Sequence, residues 1–252
     1  MKLVSMVSIP ISLVMLLSLS QCKTSKEISR LTNVIDTLWV NQGDQGPTLE
    51  FEFARGKSHN HPTFAIWAED LDGNYLKTLF VTRSIATGIF NYGPKDSTSW
   101  DNKPGWQVRP ATLPYWLHKR SEALGTPLLP TPQQPLTDAY SGATPKTDFS
   151  YRFTEKALPA TKFRILMEIN QPWDWNEHWT NTLYDDPQYR TSCQPSLVYS
   201  VMVDPMLRGE KLYMNPIGHG HYAGHDGKLY TDLRTFTTAL HIIDYAAVTQ
   251  IN

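Results

Sequence analysis

Short apolar runs that alternate with polar residues, and not any helical repeat, limit what this chain can fold into. Leu49, Phe51 and Phe53 alternate with Glu50 and Glu52, the two-residue period of a strand with one face buried. Thr63–Glu69 is a second run, and Tyr75–Val81 is a third. Between them Asp70, Leu71, Asp72, Gly73 and Asn74 supply turn residues, with Gly73 giving cheap access to positive φ, so the pair predicts a hairpin. Further runs occupy Asp148–Phe153, Lys162–Ile169, Ser196–Val203, Lys211–Met214 and Ala239–Ile251. Many short strands separated by turn residues predict an all-β fold with minor α content. The expected form is an antiparallel β-sandwich or an open barrel with long irregular loops. Eight Trp, twelve Tyr and nine Phe are ample material for its core.

Helix is expected only in short pieces, at Leu31–Trp39 and at Leu117–Leu124 beside Trp116 and His118. The intervening stretch from Ser84 to Pro145 is rich in Gly, Pro, Ser and Thr. Its segment Gly125–Pro135 holds four prolines and cannot lie inside a helix or a central strand. Irregular stretches of that length are often functional loops.

The first residues give an address. Met1-Lys2 is followed by an apolar or small run from Leu3 to Leu19, whose apolar heart falls short of the about 20 residues a permanent membrane helix needs. A charged start before a short apolar stretch is the pattern of a secretory signal, here 1–21. It ends in Leu19-Ser20-Gln21-Cys22, which resembles a lipobox, the cleavage site before a cysteine that becomes acylated; Gln21 departs from the small residue usual there. Residues 22–47 then read as a lipidated tether and N-terminal segment, and 48–252 as one β-rich extracytoplasmic domain. The expected location is membrane-anchored, periplasmic or at the cell surface. With Cys22 acylated, Cys193 has no cysteine to pair with, although export permits disulfides. The formal charge of −1 is spread along the chain without a basic stripe, which argues against nucleic acid.

Three constellations carry chemistry. The string Asp138-Ala139-Tyr140-Ser141-Gly142-Ala143-Thr144 resembles the flavinylation motif of proteins that hold covalent FMN: Asp, two variable residues, Ser or Thr, Gly, Ala, Thr. Among them are subunits of sodium-pumping NADH:quinone reductases and Rnf-type complexes. In that group an exported flavin transferase uses FAD and magnesium to join FMN through a phosphoester to the final Thr. The resemblance implies FMN on Thr144, with Asp138, Ser141, Gly142 and Ala143 completing the cofactor-binding string. It also implies a flavin transferase and a membrane redox partner. The residue types suit the chemistry, because a hydroxyl that attacks a pyrophosphate must be displayed without crowding. Pro145 and Lys146 depart from the small or hydroxyl residues expected next. A purely structural reading is open too, since Asp, Ser and Gly after a proline-rich stretch make an ordinary turn.

The second constellation is Gly218-His219-Gly220-His221-Tyr222-Ala223-Gly224-His225-Asp226-Gly227. Imidazoles two apart point the same way on an extended chain, so His219 and His221 are candidates to share a metal ion, with His225 or Asp226 closing the site. An irregular loop packed beneath aromatics explains the glycines equally well. The third is Trp173-Asp174-Trp175-Asn176-Glu177-His178-Trp179, which reads as a stacking platform for a sugar or a flavin, or as a cap on the sandwich edge. Asp174 and Glu177 are also candidates for the paired carboxylates of glycoside hydrolysis. A Gly-x-Ser-x-Gly nucleophile elbow and a Walker-type phosphate loop are absent from the sequence.

Several segments together (AIWAEDLDGNYLKTLFVT, LPYW, DAYSGATPK, MEIN, QPSLVYS and GHGHYAGHDGKLYTDL) resemble domain-of-unknown-function family 2271 over most of the mature length. The resemblance implies a periplasmic or lipid-anchored β-rich protein with no established reaction. It further implies association with flavin-transferase and membrane electron-transfer systems. The leading expectation is therefore a lipid-anchored carrier of covalent FMN in electron transfer, more a redox or binding protein than a stand-alone enzyme. The rivals are a non-catalytic binding or scaffolding sandwich for a glycan or protein, and a metal-binding protein centred on His219, His221 and His225.

Overall fold

The computed structural model describes residues 37–41, 44–92 and 101–252. The expected signal segment 1–21, Cys22, the expected tether as far as residue 36 and the first part of the expected helix at Leu31–Trp39 lie outside the described residues.

Strands are numbered in chain order. One sheet has the order β1 (Thr37–Val40), β8 (Phe149–Thr154), β2 (Thr48–Arg55), β13 (Ile243–Gln250), β11 (Lys211–Tyr213). The other runs β12 (Asn215–His219), β10 (Leu197–Val203), β9 (Phe163–Asn170), β3 (Thr63–Glu69), β4 (Tyr75–Thr82), β7 (Tyr140–Gly142). A small ribbon pairs β5 (Ile89–Phe90) with β6 (Gly105–Trp106). The fold is all-β, and the sheets do not close into a barrel. Both are mixed: β1 pairs parallel to β8 and β7 parallel to β4, so the expected antiparallel pattern fails at one edge of each sheet.

The alternation in β2 does what it implied. Leu49, Phe51 and Phe53 are buried, while Glu50 and Glu52 on the other face pair with Arg152 at 3.1 Å and Lys211 at 2.6 Å. Across the core Phe53 lies 5.7 Å from Phe64 of the facing sheet, and Phe80 lies 4.5 Å from Tyr151. All seven residues of β3 are buried, because its sheet is covered on both sides. Phe64, Ile66 and Ala68 join the core between the sheets, whereas Ala65 and Trp67 join a second cluster with Leu113, Trp116, Leu117, Leu166 and Val198.

That second cluster lies under helix α2 (Pro114–Leu124), which begins earlier than the expected Leu117 and stops where Gly125 turns left-handed at φ 61°. The short helices α1 (Arg83–Thr87) and α3 (Pro187–Ser192) flank it in sequence. Residues 37–39 of the expected N-terminal helix form β1 instead. Leu38 and Trp39 are largely exposed there, and the Arg152 guanidinium sits 4.7 Å over the Trp39 ring, so edge pairing and one cation–π contact take the place of a helix.

Register fixes which loops share an end. Thr63 lies opposite Asn170, Leu197 opposite both Ile169 and His219, Ile243 opposite Arg55, and Phe53 opposite Phe149. The connections 56–62, 143–148, 171–196 and 220–242 therefore all emerge at one end of the sandwich. The opposite end carries the short turns 70–74, 155–162 and 204–210. Because β1 runs parallel to β8, with Thr37 opposite Ser150, the chain joins the sandwich at the loop-bearing end.

Candidate functional site

The end of the first constellation and the whole of the other two lie at this loop-bearing end, linked by hydrogen bonds from one loop to the next. Thr144 Oγ1 donates to the Pro62 carbonyl at 2.7 Å, and His59 Nε2 donates to the Pro145 carbonyl at 3.1 Å, so the end of the Asp138–Thr144 string is clasped by loop 56–62. Gln171 continues the chain: its Oε1 accepts from Asn60 N at 2.6 Å, and its Nε2 donates to Ser58 O at 3.0 Å. Loop 171–196 is tied in turn to 220–242 by two amides. Asn176 Nδ2 donates to Thr235 O at 2.8 Å, and Gln194 Nε2 donates to Thr238 Oγ1 at 2.6 Å.

Within the flavinylation-like string each residue has structural employment. Asp138 holds both arms of the Arg120 guanidinium, which is nearly inaccessible on α2. Ser141 sits in β7 opposite Val81. Gly142 is buried on the Phe80 ring, where a Cβ would stand 3.0 Å from its edge. Ala143 is exposed and Thr144 half-buried. The motif's glycine and aspartate thus anchor an edge strand, and the chain then delivers Thr144 to the surface of the loop end. His59, which sequence reasoning missed, packs edge-on against Phe53 at 5.9 Å; burial lowers its pKa, and its Nδ1 has no hydrogen-bond partner. A cavity of about 240 Å³ opens on the flank between Lys77, Asp138, Tyr140 and Glu155, but Thr144 does not line it.

The tryptophan segment divides. Trp179 is core, with its indole N–H donating to Thr235 Oγ1 at 3.0 Å. Trp173 and Trp175 are 48% and 46% exposed and meet edge to face at 5.9 Å. Trp173 holds φ 63° and Cys193 φ 61°, left-handed backbone that costs a non-glycine residue of order 1–3 kcal/mol. Asp174 between the indoles points inward, accepting from Thr238 Oγ1 while its Oδ2 has no partner; burial raises its pKa. Glu177 is exposed, so the two carboxylates considered for glycoside hydrolysis sit in opposite environments.

The histidines also divide. His219 Nδ1 donates to Gly220 O at 2.8 Å, and its ring stacks on Tyr230 at 5.3 Å, close to Trp179 and Phe236. His221 Nδ1 accepts the Ala223 and His225 N–H groups at 3.0 and 3.4 Å, which places the proton of the neutral ring on Nε2 and leaves no lone pair for a metal. His225 Nε2 is 3.0 Å from Asp186 Oδ2. Among the described residues no three His, Cys, Asp or Glu side chains come together in a way that could hold a metal ion. The glycines between these histidines answer to packing. A Cβ on Gly220 would lie 2.5 Å from Pro114 Cγ and 2.9 Å from Glu168 Oε1.

Glu168 is a buried carboxyl that the sequence does not announce. Fully buried on the central strand β9, it caps α2 from the sheet face that the helix covers, accepting Tyr115 N–H at 3.2 Å, Trp116 N–H at 2.7 Å and the Ser196 hydroxyl. A charged residue inside the apolar run Phe163–Ile169 was the signal that could have found it.

Fold and site together define an all-β sandwich with four of its connections, the exposed Trp173 and Trp175 and the flavinylation-like Thr144 at one end. No protein-family description, curated protein or solved structure matches the chain.

Proposed function

We propose that this protein is an exported lipoprotein, tethered through Cys22, that carries FMN esterified to Thr144 and passes electrons between a membrane redox partner and a second acceptor. The observation that carries the reading is the seven-residue string ending at Thr144, set at the end of the sandwich where β1 begins. A flavin there would face the side from which the tether leaves.

The residues fit such an attachment. The Thr144 hydroxyl directs its proton to the Pro62 carbonyl, so its remaining lone pairs are free to attack. Thr144 Oγ forms a bond to the phosphorus on the FMN side of FAD, the pyrophosphate P–O bond breaks, AMP leaves, and the hydroxyl proton passes to a base of the transferase. Ala143 adds no bulk beside it, and Asp138 bound to Arg120 fixes the strand that presents it. Bound FMN supplies one- and two-electron redox chemistry. Trp173 and Trp175 are exposed rings that the loop end offers to an isoalloxazine, and Tyr140 is an exposed ring on the flank two residues before Gly142. No general acid or base is asked of the chain itself.

Co-expression with a flavin transferase tests the reading by intact mass: one FMN is expected, absent from Thr144→Ala. A chain that stays unmodified under those conditions, while a known acceptor is modified, refutes it. The two exposed indoles favour a second reading, a non-catalytic binding or scaffolding sandwich, which the same experiment separates by the absence of flavin.

A further inference from the structure

We infer that the loop-bearing end is a seat on an anionic lipid bilayer, with Trp173 and Trp175 entering the headgroup region and Arg55, Lys57 and Lys146 contacting lipid phosphates. The seat rests on the tethered reading for its orientation, and three observations point to lipid as the occupant.

The first is where the chain leaves the sandwich. Cys22 lies fifteen residues before Thr37, and Thr37 opposite Ser150 is at the loop end. Fully extended, that segment spans about 50 Å. To bring the opposite end to the bilayer it would first run back along a strand length of about 26 Å. That orders half of the segment against chain entropy. With the loop end down, no such ordering is needed.

The second is the pair of indoles. Trp173 and Trp175 are nearly half exposed and meet each other edge to face, whereas Trp179 is core. Their backbone is pinned, by Trp173 N–H to Thr191 O at 2.9 Å and by the buried Asp174 between them. Rigid, amphipathic indoles at a surface suit the bilayer interface, where tryptophan is enriched.

The third is charge. Arg55, Lys57 and Lys146 are exposed on the adjoining strand end and loops, and none forms an ion pair with a described carboxylate. The Arg55 guanidinium reaches the Lys146 carbonyl at 3.4 Å, which holds two of the three cations together. Cations near an anionic leaflet strengthen binding, and salt weakens them.

The test uses the full chain, exported, recovered from membranes and reconstituted in vesicles of phosphatidylcholine and phosphatidylglycerol carrying a lipid spin-labelled near the headgroup. Tryptophan fluorescence should be quenched, and most of that quenching should vanish in Trp173→Phe/Trp175→Phe. Weaker quenching is expected in pure phosphatidylcholine and in Lys57→Gln/Lys146→Gln. Equal quenching of wild type and the double tryptophan variant overturns the seat. So does a fluorescence change on adding soluble glycans with none on adding vesicles. Intact mass on the same material reports acylation of Cys22 separately. An acylated protein without indole quenching refutes the seat and leaves the tether, whereas an unacylated protein whose indoles are quenched by anionic vesicles refutes the tether and leaves the seat.

Discussion

Glu168→Gln probes a fully buried carboxyl that links sheet, helix and histidine loop. Burial pushes the Glu168 carboxyl from the ordinary 4.5 up to about 7, against the pull of three donors: the Ser196 hydroxyl and the Trp116 and Tyr115 N–H groups. The site accommodates both protonation states. With a proton on Oε1, Glu168 donates to Ser196 Oγ along the same contact and still accepts Trp116 N–H at Oε2. Because the native pKa lies above the unfolded one, the native state keeps a proton that the unfolded chain has released between pH 4.5 and about 7. Stability from this group therefore falls as pH rises through that window and is level on either side of it. The shift corresponds to about 3 kcal/mol. For a domain of this size that is about 6–12 °C in Tm. A glutamine is neutral throughout, so the stability difference between wild type and Glu168→Gln isolates the linkage from all other titrations. Chemical denaturation of both proteins from pH 4 to 8 should show wild type losing about 3 kcal/mol of its advantage by pH 8. A difference that stays constant over the range would refute the reasoning, because Glu168 would then carry the same charge in both states at every pH.

Other substitutions address neighbouring contacts. Asp138→Ala leaves the Arg120 guanidinium buried with only the Thr126 hydroxyl near it, and denaturant midpoints should report a loss of about 3–5 kcal/mol; a loss within error of zero would mean the pair contributes nothing. Gly220→Ala places a methyl against Pro114 and Glu168, and should cost about 1–3 kcal/mol in the same assay. Burial pushes the Cys193 thiol up to about 12, so alkylation at pH 8 should wait for unfolding. Labelling of native protein at the rate of a free thiol would contradict that.

What could be read from the sequence tracks how one-sided each segment is. Leu49–Phe53 has one wet face and reads at once as a strand. The run Thr63–Glu69 loses its alternation because both faces are buried, yet its length, its aromatics and the Asp-Gly turn after it still mark the hairpin. The short edge strands β1, β7 and β12 were passed over, and their composition explains why. Asn215–His219 contains a proline and a glycine, Tyr140–Gly142 is too short for any period, and Thr37–Val40 buries only its last residue. Within the site, the Trp173–Trp179 segment was legible as aromatic, but which indoles face water depended on Thr235 and Thr191, remote in sequence. The histidine spacing suggested a shared metal because two residues apart implies one face. Gly220 breaks the strand at that point and lets His221 turn onto its own backbone. His59 and Glu168 act through partners 28 to 86 residues away, which no local pattern reveals.

The two parallel pairings, which depart from the expected antiparallel sheets, decide what the loop end contains. Had β1 run antiparallel to β8, the chain would join the sandwich at the end with short turns, away from Trp173 and Trp175. Had β7 run antiparallel to β4, Gly142 would point to that same opposite end and carry Thr144 with it. Each edge strand is short, and each is held in its direction by contacts that its own sequence does not announce: Arg152 over Trp39 for β1, Arg120 on Asp138 and Phe80 beneath Gly142 for β7. The start of β1, the Thr144 hydroxyl, Trp173 and Trp175 thus share one end. Weakening the Asp138–Arg120 pair should disturb the presentation of Thr144 before it disturbs the core, since the core strands β2, β3, β9 and β10 do not depend on it.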